Sequence, residues 1–493
     1  MLVIGAGLWM QTRTLTNDAF VDEATYIVSG QLLRDAAQTG AETPPIATYL
    51  SGAPHLYPRL AAALYARGGL EGARVFSLAC ILVAVIAVYA AAGVLFSSRV
   101  AGIAAAALFS VQAPVLFLAR FATYDALALA LVAVALAAVI DRGERTRWLT
   151  AVLAGVCIAT AVLVKYASLL YAPCIVIVAS LVMPPGSRWK RGAVTLAAAL
   201  ITGVALALAG EPRELWSGFV TTTLSRSVTS GGRVRDIILF ALSLGGATAV
   251  LALPALALAA ARVRWIAVTI FAFALLAPLN HARLHEFVSL HKHMAFALVL
   301  WATLAGGAVA ALCAWLVRRW HARQVVISVA VAAAAVAIFV RAIVVPGAEA
   351  AYRLFRYWPD STRVAYLALA PVTGPPAHFL SEEPDLGTLY LGRRAPVSQW
   401  VHPYYFDYDG QRAQTPTDVD PYRRAIRDGY FTAVLLRFGP QREWATAVEE
   451  ELLRAQPRYR LAARFPFELA DGAGAYQIWV RVDAAGAERV GRQ

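Results

Sequence analysis

Long apolar runs bounded by charged residues dominate the first 345 residues of the chain. Runs of about 20 residues are what an α-helix needs to cross the hydrocarbon core of a bilayer. After Pro346 the pattern changes to mixed, aromatic and polar segments. The pattern therefore predicts a polytopic α-helical membrane region, residues 1 to 345, followed by a second domain, residues 346 to 493.

We predict eleven spans where apolar runs lie between charged residues. They cover residues 1 to 12, 73 to 96, 100 to 118, 122 to 140, 148 to 164, 167 to 183, 192 to 210, 236 to 260, 265 to 280, 294 to 317 and 324 to 345. The first run is short and has neither a basic leader nor a small-residue cleavage site. We interpret it as a span whose beginning lies upstream, in preference to a signal sequence.

The remainder of the chain alternates between strand-like and helix-like patterns. The segments AHFLS, TLYLG, FTAVLLRFG and AYQIWVRV indicate strands, and DVDPYRRAIRDGY and EWATAVEEELLRAQ indicate helices. This order predicts a small α/β domain.

Composition agrees with a membrane protein, since 59% of the residues are hydrophobic and only 15% are charged. The net charge of +13 does not indicate nucleic-acid binding, because Lys and Arg are spread between the apolar runs and form no single basic stripe. The four cysteines all fall within predicted spans, so no disulfide framework is expected.

The distribution of Lys and Arg predicts the topology. One set of alternate loops has 12 basic residues in 28 positions, whereas the other set has 12 in 106 positions. The positive-inside rule then places the N-terminus in the cytoplasm of a multi-pass cell-membrane protein. It places the first loop and the C-terminal domain outside the cell membrane.

The first loop, residues 13 to 72, is long for a connection between spans, and long ordered loops are often functional. It opens with an amphipathic stretch that contains the acids Asp22 and Glu23, and it continues with a segment rich in aromatic residues and leucine. Such segments are typical of interfacial helices. The alternative for the acids is a solvated helix start, because acids favour the first turn of a helix.

The motifs of this region resemble those of the class C glycosyltransferases, in particular the aminoarabinose transferase and protein O-mannosyltransferase group. The resemblance rests on the order of short motifs. These are DEATY after the first span, YPRL and GARVFSL before the second, FATYDALALA at the fourth, and VLVKYASLL between the fifth and sixth. The resemblance implies a class C glycosyltransferase fold over residues 1 to 345.

By this resemblance, Asp22 is the catalytic base and Glu23 orients hydroxyl groups. The implied reaction is the transfer, with inversion, of a monosaccharide from a polyprenyl-phosphate donor to a lipid, polysaccharide or protein acceptor. A carboxylate within hydrogen-bond reach of an attacking hydroxyl suits this chemistry. No cofactor is required by the motifs, and a divalent cation stays an open question.

A lipid-phosphate leaving group needs positive charge and hydrogen-bond donors. The cations expected to bind it are Arg74, Arg120, Lys165 and Lys292. Lys165 is the most informative, because it lies in a predicted two-residue external turn against the positive-inside trend. The alternative is a lysine that snorkels to the membrane interface.

Further residues are expected to bind or support the substrate. They are Tyr26, His55, Tyr57, Asp125, His291 and His293. Asp125 lies inside a span, where an ionisable group is costly, and we favour a partner role towards an arginine or tyrosine of the first loop over direct catalysis.

The segment NHARLHEFVSLHKHM, residues 280 to 294, holds four of the eight histidines. His281 and His285 have helical i, i+4 spacing, so a metal site is conceivable. We favour binding of phosphate or sugar hydroxyls. The segment departs from the aminoarabinose-transferase pattern, which leaves the sugar undetermined.

Two other function classes stay open. A transporter or lipid flippase would also have many spans, although such proteins tend to have two related halves and mid-membrane charges. This sequence shows no related halves, and its notable charges cluster at one face. A scaffold that only anchors a polymer-binding domain would not need eleven spans. The loop of residues 211 to 235 is interpreted either as a flap over the donor or as plain surface.

Overall fold

The computed structural model describes residues 1–491 apart from residues 14, 16, 41, 142, 144, 226–230, 259, 320–338, 357, 402–405, 413–417 and 441. The chain forms two compact units. The first, here the membrane unit, comprises Met1–Leu15 and Ser29–Tyr352. The second, here the C-terminal unit, comprises Thr16–Val28 and Arg353–Gln493, so it includes the short segment that carries Asp22.

Helices make up most of the described membrane unit. They are α1 (Leu2–Arg13), α2 (Val21–Thr39, which begins in the C-terminal unit), α3 (Tyr57–Leu95), α4 (Arg99–Ser110), α5 (Ala113–Arg120), α6 (Tyr124–Ile140), α7 (Arg147–Val164), α8 (Ala172–Leu181), α9 (Arg188–Leu208), α10 (Pro212–Phe219), α11 (Val234–Leu258), α12 (Ala261–Ala274), α13 (Leu276–Leu284) and α14 (Leu290–Arg319). A further helix, α15 (Val345–Phe355), follows them.

Six described helices or helix runs are long and apolar enough to cross a membrane. They are Tyr57–Leu95, Arg147–Val164, Arg188–Leu208, Val234–Ala257, Val263–Leu284 and Leu290–Leu316. A seventh is possible from α4 and α5, which meet at an angle of 69°. The predicted count of eleven stays a prediction, because the spans at 122 to 140 and 167 to 183 form shorter apolar helices and residues 324 to 338 lie outside the described part of the chain.

Two predicted spans differ from the structure for identifiable reasons. The second was expected to begin at residue 73, but α3 begins at Tyr57 and is broken at Gly68 and Gly69, where the backbone leaves the helical region. The third, 100 to 118, divides into α4 and α5 because Pro114 starts a new helix at its first turn.

Helix packing in the membrane unit relies on small residues. Helix α3 packs on α6, α6 on α7, α7 on α9, and α11 on α14. Gly155 of α7 allows close approach to α9, since a Cβ atom there would clash with the carbonyl oxygen of Thr195. Gly306 of α14 approaches Ala101 of α4 in the same way. Small residues let helix backbones come together in this manner.

A five-stranded sheet lies in the C-terminal unit, in the order β2, β1, β5, β7, β6. The strands are β1 (Phe379–Ser381), β2 (Trp400–Val401), β5 (Ala433–Phe438), β6 (Tyr459–Leu469) and β7 (Gly472–Arg481), and a separate hairpin consists of β3 (Asp407–Tyr408) and β4 (Gln411–Arg412). Strand β1 is parallel to β2 and β5, whereas β7 is antiparallel to β5 and β6.

Four helices accompany this sheet, namely α16 (Thr362–Leu367), α17 (Pro384–Leu391), α18 (Asp420–Asp428) and α19 (Glu443–Arg454). Residues of α18 and α19 form a core with the sheet, in which Tyr422, Trp444 and Trp479 are buried. The predicted helices and three of the four predicted strands are present.

The prediction of a strand at TLYLG was wrong, because these residues lie in α17 up to Leu391. Pro384 at its first turn and Asp385 next to it are helix-start signals that outweigh the short apolar run. Strand β6 was not predicted, since its charged residues and Pro466 interrupt the apolar pattern. Its position at the edge of the sheet explains why both are tolerated.

Candidate functional site

A buried ion pair joins two helix ends of the membrane unit. Asp125 lies in the first turn of α6 and Lys165 directly follows α7. The Nζ atom of Lys165 is 2.6 Å from Oδ1 of Asp125, and the two side chains are 3% and 0% exposed. The Lys165 ammonium also lies 4.7 Å from the ring centre of Tyr124. Lys165 is therefore a buried, paired residue and not a snorkelling one.

This pair corrects the partner expected for Asp125. An arginine or tyrosine of the first loop was predicted, but the carboxylate is bound by Lys165 at the end of the neighbouring helix. A carboxylate at 0% exposure needs its countercharge in direct contact, and Lys165, the residue that follows α7, supplies it.

The first loop fixes the backbone on both sides of Lys165. The N–H of Ala53 donates to the carbonyl of Leu163 at 2.7 Å, and the N–H of Tyr166 donates to the carbonyl of Ser51 at 2.9 Å. The expected two-residue turn is instead a 3₁₀ helix, Tyr166–Tyr171. The loop thereby sets the position of the Lys165 ammonium.

Gly52 makes this contact possible. A Cβ atom at this position would clash with the carbonyl oxygen of Val164. The sequence reading did not single out Gly52, although a glycine within the long loop is the residue type that permits such a close backbone approach.

Two predicted residues of α14 are associated with the ion pair. Lys292 is buried, and both Lys292 and His291 act electrostatically on Asp125. The His291 ring packs edge-on against Phe117 at 4.7 Å. Asp125 and Lys165 thus come together with the neighbours His291 and Lys292, although more than 120 positions separate Lys165 from His291.

Arg74 reaches the same region through aromatic rings. It is 4% exposed and lies over the ring of Phe121 at 5.5 Å. The ring of Phe121 lies 4.7 Å from that of Phe117, which in turn contacts His291. Arg74 is consequently a buried cation that is linked to His291 through the rings of Phe121 and Phe117.

Several buried polar atoms next to the ion pair have no hydrogen-bond partner among the described residues. They are Oδ2 of Asp125, Oγ1 of Thr123, Oγ of Ser168 and Nε2 of His291. Buried polar groups normally have hydrogen-bond partners, and each exception calls for an explanation, of which a functional role is one. Thr123 and Ser168 were not among the predicted site residues, because isolated hydroxyl residues have no sequence signature.

Arg120, His55 and Tyr57 are each held by residues that are distant in the sequence. The Nε of Arg120 donates to the carbonyl of Leu15 at 2.9 Å, and its NH1 lies 2.7 Å from the carboxylate of Glu71. Burial lowers the pKa of His55, and its Nε2 donates to the carbonyl of Leu206 at 3.2 Å. Tyr57 is buried and packs against Tyr124 at 6.2 Å. Arg120 therefore has its own countercharge in Glu71, as Lys165 has in Asp125.

The spacing predicts that His281 pairs with His285, but in the structure His281 pairs with His293. The Nδ1 of His281 lies 2.7 Å from the carbonyl oxygen of Glu286, and its Nε2 lies 2.7 Å from Nδ1 of His293. His285 instead contacts the carbonyl of Gly232 at 3.1 Å. Across the described residues, no group of three or more His, Cys, Asp or Glu side chains is arranged to hold a metal ion.

The described part of the loop of residues 211 to 235 begins with the helix α10. Helix α10 packs on the first loop at Gly218, where a Cβ atom would clash with the carbonyl oxygen of Ala47. The Tyr166 ring contacts Phe219 at 5.3 Å, edge to face. Residues 226–230, which include Arg226, lie outside the described part.

The acidic pair lies at the start of α2, in the C-terminal unit. Asp22 is in the first turn and is half-buried. Glu23 is fully buried, and its Oε2 accepts a hydrogen bond from the N–H of Phe20 at 2.9 Å. This is the position of the glutamate in a capping box, so Glu23 caps the helix and keeps Asp22 in its first turn. Tyr26, one turn further, is buried.

The amino-acid sequence of one segment matches a known family. Residues 56–209 match the family described as dolichyl-phosphate-mannose-protein mannosyltransferase. No curated protein matches the chain by sequence.

Solved structures match almost the whole chain. ArnT from Cupriavidus metallidurans bound to undecaprenyl phosphate is 16% identical, with a TM-score of 0.60 over 97% of both chains. The chain has the class C glycosyltransferase fold. The apo state of the same ArnT matches with 16% identity and a TM-score of 0.59, over 100% of this chain and 98% of that one.

The same fold is found in an archaeal protein. The oligosaccharyltransferase AglB from Archaeoglobus fulgidus, in complex with an inhibitory peptide and a dolichol-phosphate, is 12% identical. The match covers 96% of this chain and 74% of AglB, with a TM-score of 0.56. The resemblance to class C glycosyltransferases found in the sequence is therefore confirmed for the fold, and the chain is a multi-pass membrane protein with a C-terminal sheet domain.

Proposed function

We propose that this protein is a membrane glycosyltransferase that transfers a monosaccharide from a polyprenyl-phosphate donor to an envelope acceptor. The transfer takes place on the external face, with the N-terminus in the cytoplasm and the C-terminal unit outside. The fold, the family match over residues 56–209 and the buried charges of the membrane unit support this proposal.

The observation that carries the proposal is the Lys165–Asp125 pair. It is buried at the ends of two helices, and the first loop fixes its backbone. Polar atoms that have no hydrogen-bond partner within the described part of the chain adjoin it. A buried ion pair of this kind costs desolvation energy and is a weak device for stability alone. Ionisable groups inside a membrane region usually mark a substrate site.

In the proposed reaction, the cations of this cluster bind the donor phosphate. Lys165, Lys292 and Arg74 are buried, so their charges are screened little by water and act strongly on a phosphate. Arg120, which is bound to Leu15 and Glu71, is proposed as a further cation for this phosphate. His55, Tyr57, His291 and His293 are proposed to contact sugar hydroxyls or to support the site.

Asp22 is proposed as the general base. Its carboxylate removes the proton from the acceptor hydroxyl while that oxygen forms a bond to the anomeric carbon. The bond from that carbon to the phosphate oxygen breaks, and polyprenyl phosphate leaves with the electron pair. Attack opposite to the leaving group inverts the anomeric configuration.

The donor is proposed as a polyprenyl-phosphate sugar because ArnT was solved with undecaprenyl phosphate and AglB with a dolichol-phosphate. The acceptor is proposed to be a lipid, a polysaccharide or a protein. The scheme uses no cofactor, and a divalent cation is tested by adding EDTA to the reaction.

The purified protein in lipid vesicles tests the function directly. We expect it to cleave a labelled polyprenyl-phosphate sugar and to release free polyprenyl phosphate when an acceptor extract is added. If the labelled lipid crosses the bilayer intact and no cleavage is seen with any of several sugars, the protein is a flippase and the proposal is wrong.

A further inference from the structure

The short segment before and within the start of α2 is held by residues far away in the chain. It belongs to the C-terminal unit, where three hydrogen bonds and one ring contact hold it. These are Ala19 N–H to the hydroxyl of Tyr390 at 2.7 Å, Arg363 N–H to Oδ2 of Asp18 at 2.7 Å, the Thr25 hydroxyl to Oδ2 of Asp385 at 2.8 Å, and the Phe20 ring against Trp358 at 5.5 Å.

We propose that Asp385 is a positioning residue for the transfer reaction, and that it acts through Thr25 to fix the place of the Asp22 carboxylate. The inference rests on the proposed role of Asp22 as the base. It also gives the C-terminal unit a direct part in placing the proposed base, because Thr25 and Asp385 both belong to that unit.

Helix geometry links Thr25 to Asp22. The two residues are three apart on α2, so their side chains are neighbours on one face of the helix. The hydrogen bond from the Thr25 hydroxyl to Asp385 therefore determines how the first turn of α2 is rotated about the helix axis. The Glu23 cap fixes the same turn along the axis, since it bonds to the N–H of Phe20.

Asp385 is itself firmly held and suited to this task. It lies in the first turn of α17, where the helix dipole favours a negative charge, and it is 8% exposed. A hydrogen bond to a charged acceptor in such surroundings is about twice as strong as one between neutral groups. Burial raises the pKa of Asp385 to about 6, so the carboxylate is largely ionised at neutral pH and accepts from Thr25.

A second contact chain supports the aromatic end of the segment. The guanidinium of Arg437 lies over the ring of Trp358 at 5.1 Å, and its NH2 is 3.2 Å from the carboxylate of Glu383. Trp358 in turn holds Phe20. The residue before α2 is thus fixed against a ring that is itself anchored to the central strand β5 through Arg437.

Small displacements of a base have large effects on rate, and a shift of about 1 Å can cost about 100-fold. We expect Thr25→Val, which keeps the shape and removes the donor, to lower kcat by about 10- to 100-fold with little change in the KM for the donor. Thr25→Ser keeps the hydroxyl and should retain near wild-type kcat. Thr388→Val makes the same change on α17, where the Thr388 hydroxyl has no hydrogen-bond partner among the described residues, and should leave kcat unchanged.

The combination with Asp385→Asn completes the test. If the pair acts as one unit, Thr25→Val with Asp385→Asn has a kcat no lower than the worse single variant. Independent, multiplying losses, or a Thr25→Val protein that is as active as wild type, would overturn the inference. A Thr25→Ser protein as impaired as Thr25→Val would overturn it as well.

The test of Asp22 as the base gives a result that is independent of the test of Thr25. If Asp22→Asn abolishes transfer while Thr25→Val is fully active, the positioning inference fails and the proposed function stands. If Asp22→Asn is fully active, the proposed base is wrong, whatever the Thr25 variants do.

Discussion

The Lys165 ammonium lies 2.6 Å from Oδ1 of Asp125, and both side chains are buried where the end of α7 meets the start of α6. Charged groups with so little exposure require each other, because removal of one leaves an uncompensated charge. The pair can stabilise the fold, bind the donor, or do both. Variants that remove one partner or both partners distinguish these roles.

Lys165→Met should destabilise the protein by about 3 kcal/mol and abolish donor binding, because it strands the Asp125 carboxylate. The double variant Lys165→Met with Asp125→Leu should recover the melting temperature but not donor binding. Lys190→Met, at an exposed lysine of α9, is the control and should behave as wild type. Recovery of donor binding in the double variant would mean that the pair is only structural.

Gly52→Ala tests how the first loop positions Lys165. The added methyl group meets the carbonyl oxygen of Val164, so the backbone that carries Lys165 must shift. We expect at least about a 10-fold loss of donor turnover with a folded protein. Gly203→Ala on α9 has open space around it and serves as control. Equal turnover in both variants would show that the Lys165 position is not critical.

Arg191 lies just before the predicted span of residues 192 to 210, and the structure gives it a buried role. It is 0% exposed, and its guanidinium donates to the carbonyls of Ala138 and Asp141 and to the hydroxyl of Thr150 at 2.9 to 3.0 Å. Arg191→Leu should cost about 3 kcal/mol of stability, since buried acceptors lose their donors.

The matched control for this prediction is Arg188→Leu, at an exposed arginine three residues earlier on α9. Thermal unfolding in detergent compares the two variants with the wild type. Donor turnover per folded molecule should be unchanged in both, because neither residue contacts the proposed site. Equal melting temperatures would contradict the buried-clamp role of Arg191.

The pH dependence of stability follows from Asp385. Burial raises the pKa of Asp385 from 3.8 to about 6, so the folded state binds this proton more tightly than the unfolded state. Its stabilising contribution is present below pH 3.8 and is lost as the pH rises through about 6. A shift of this size corresponds to about 3 kcal/mol.

Glu382 and Glu383 also have raised pKa values, because burial outweighs the attraction of Arg437. The difference between the wild type and Asp385→Asn therefore isolates the contribution of Asp385. We expect the melting temperature of the wild type to fall more steeply between pH 4 and 7 than that of Asp385→Asn. Parallel curves would contradict the raised pKa of Asp385.

Much of the architecture was readable from hydrophobic pattern alone. Apolar runs located most of the helices from α3 to α14, apart from α10 and the early start of α3 at Tyr57. Helix breaks were less predictable, because a kink at Gly68 and Gly69 depends on local backbone angles and not on hydropathy. The edge strand β6 was missed because it contains Pro466, which a strand tolerates mainly at the edge of a sheet, and the sequence does not reveal that position.

The sequence predicted which residues belong to the candidate site, but it did not predict which of them are in contact. Asp125, Lys165, His291 and Lys292 were all selected from the sequence, yet their association depends on how α6, α7 and α14 pack. The anchoring of Thr25 by Asp385 joins residues that are 360 positions apart. No periodicity or local spacing can indicate a contact over that distance.

The most direct test of the central claim is donor cleavage by Asp22→Asn in lipid vesicles, beside Asp35→Asn, an exposed aspartate on the same helix α2. The asparagine keeps the shape of Asp22 but cannot accept the proton. We expect release of polyprenyl phosphate to fall by at least about 100-fold in Asp22→Asn and to stay at the wild-type rate in Asp35→Asn. Wild-type release by Asp22→Asn would contradict the account.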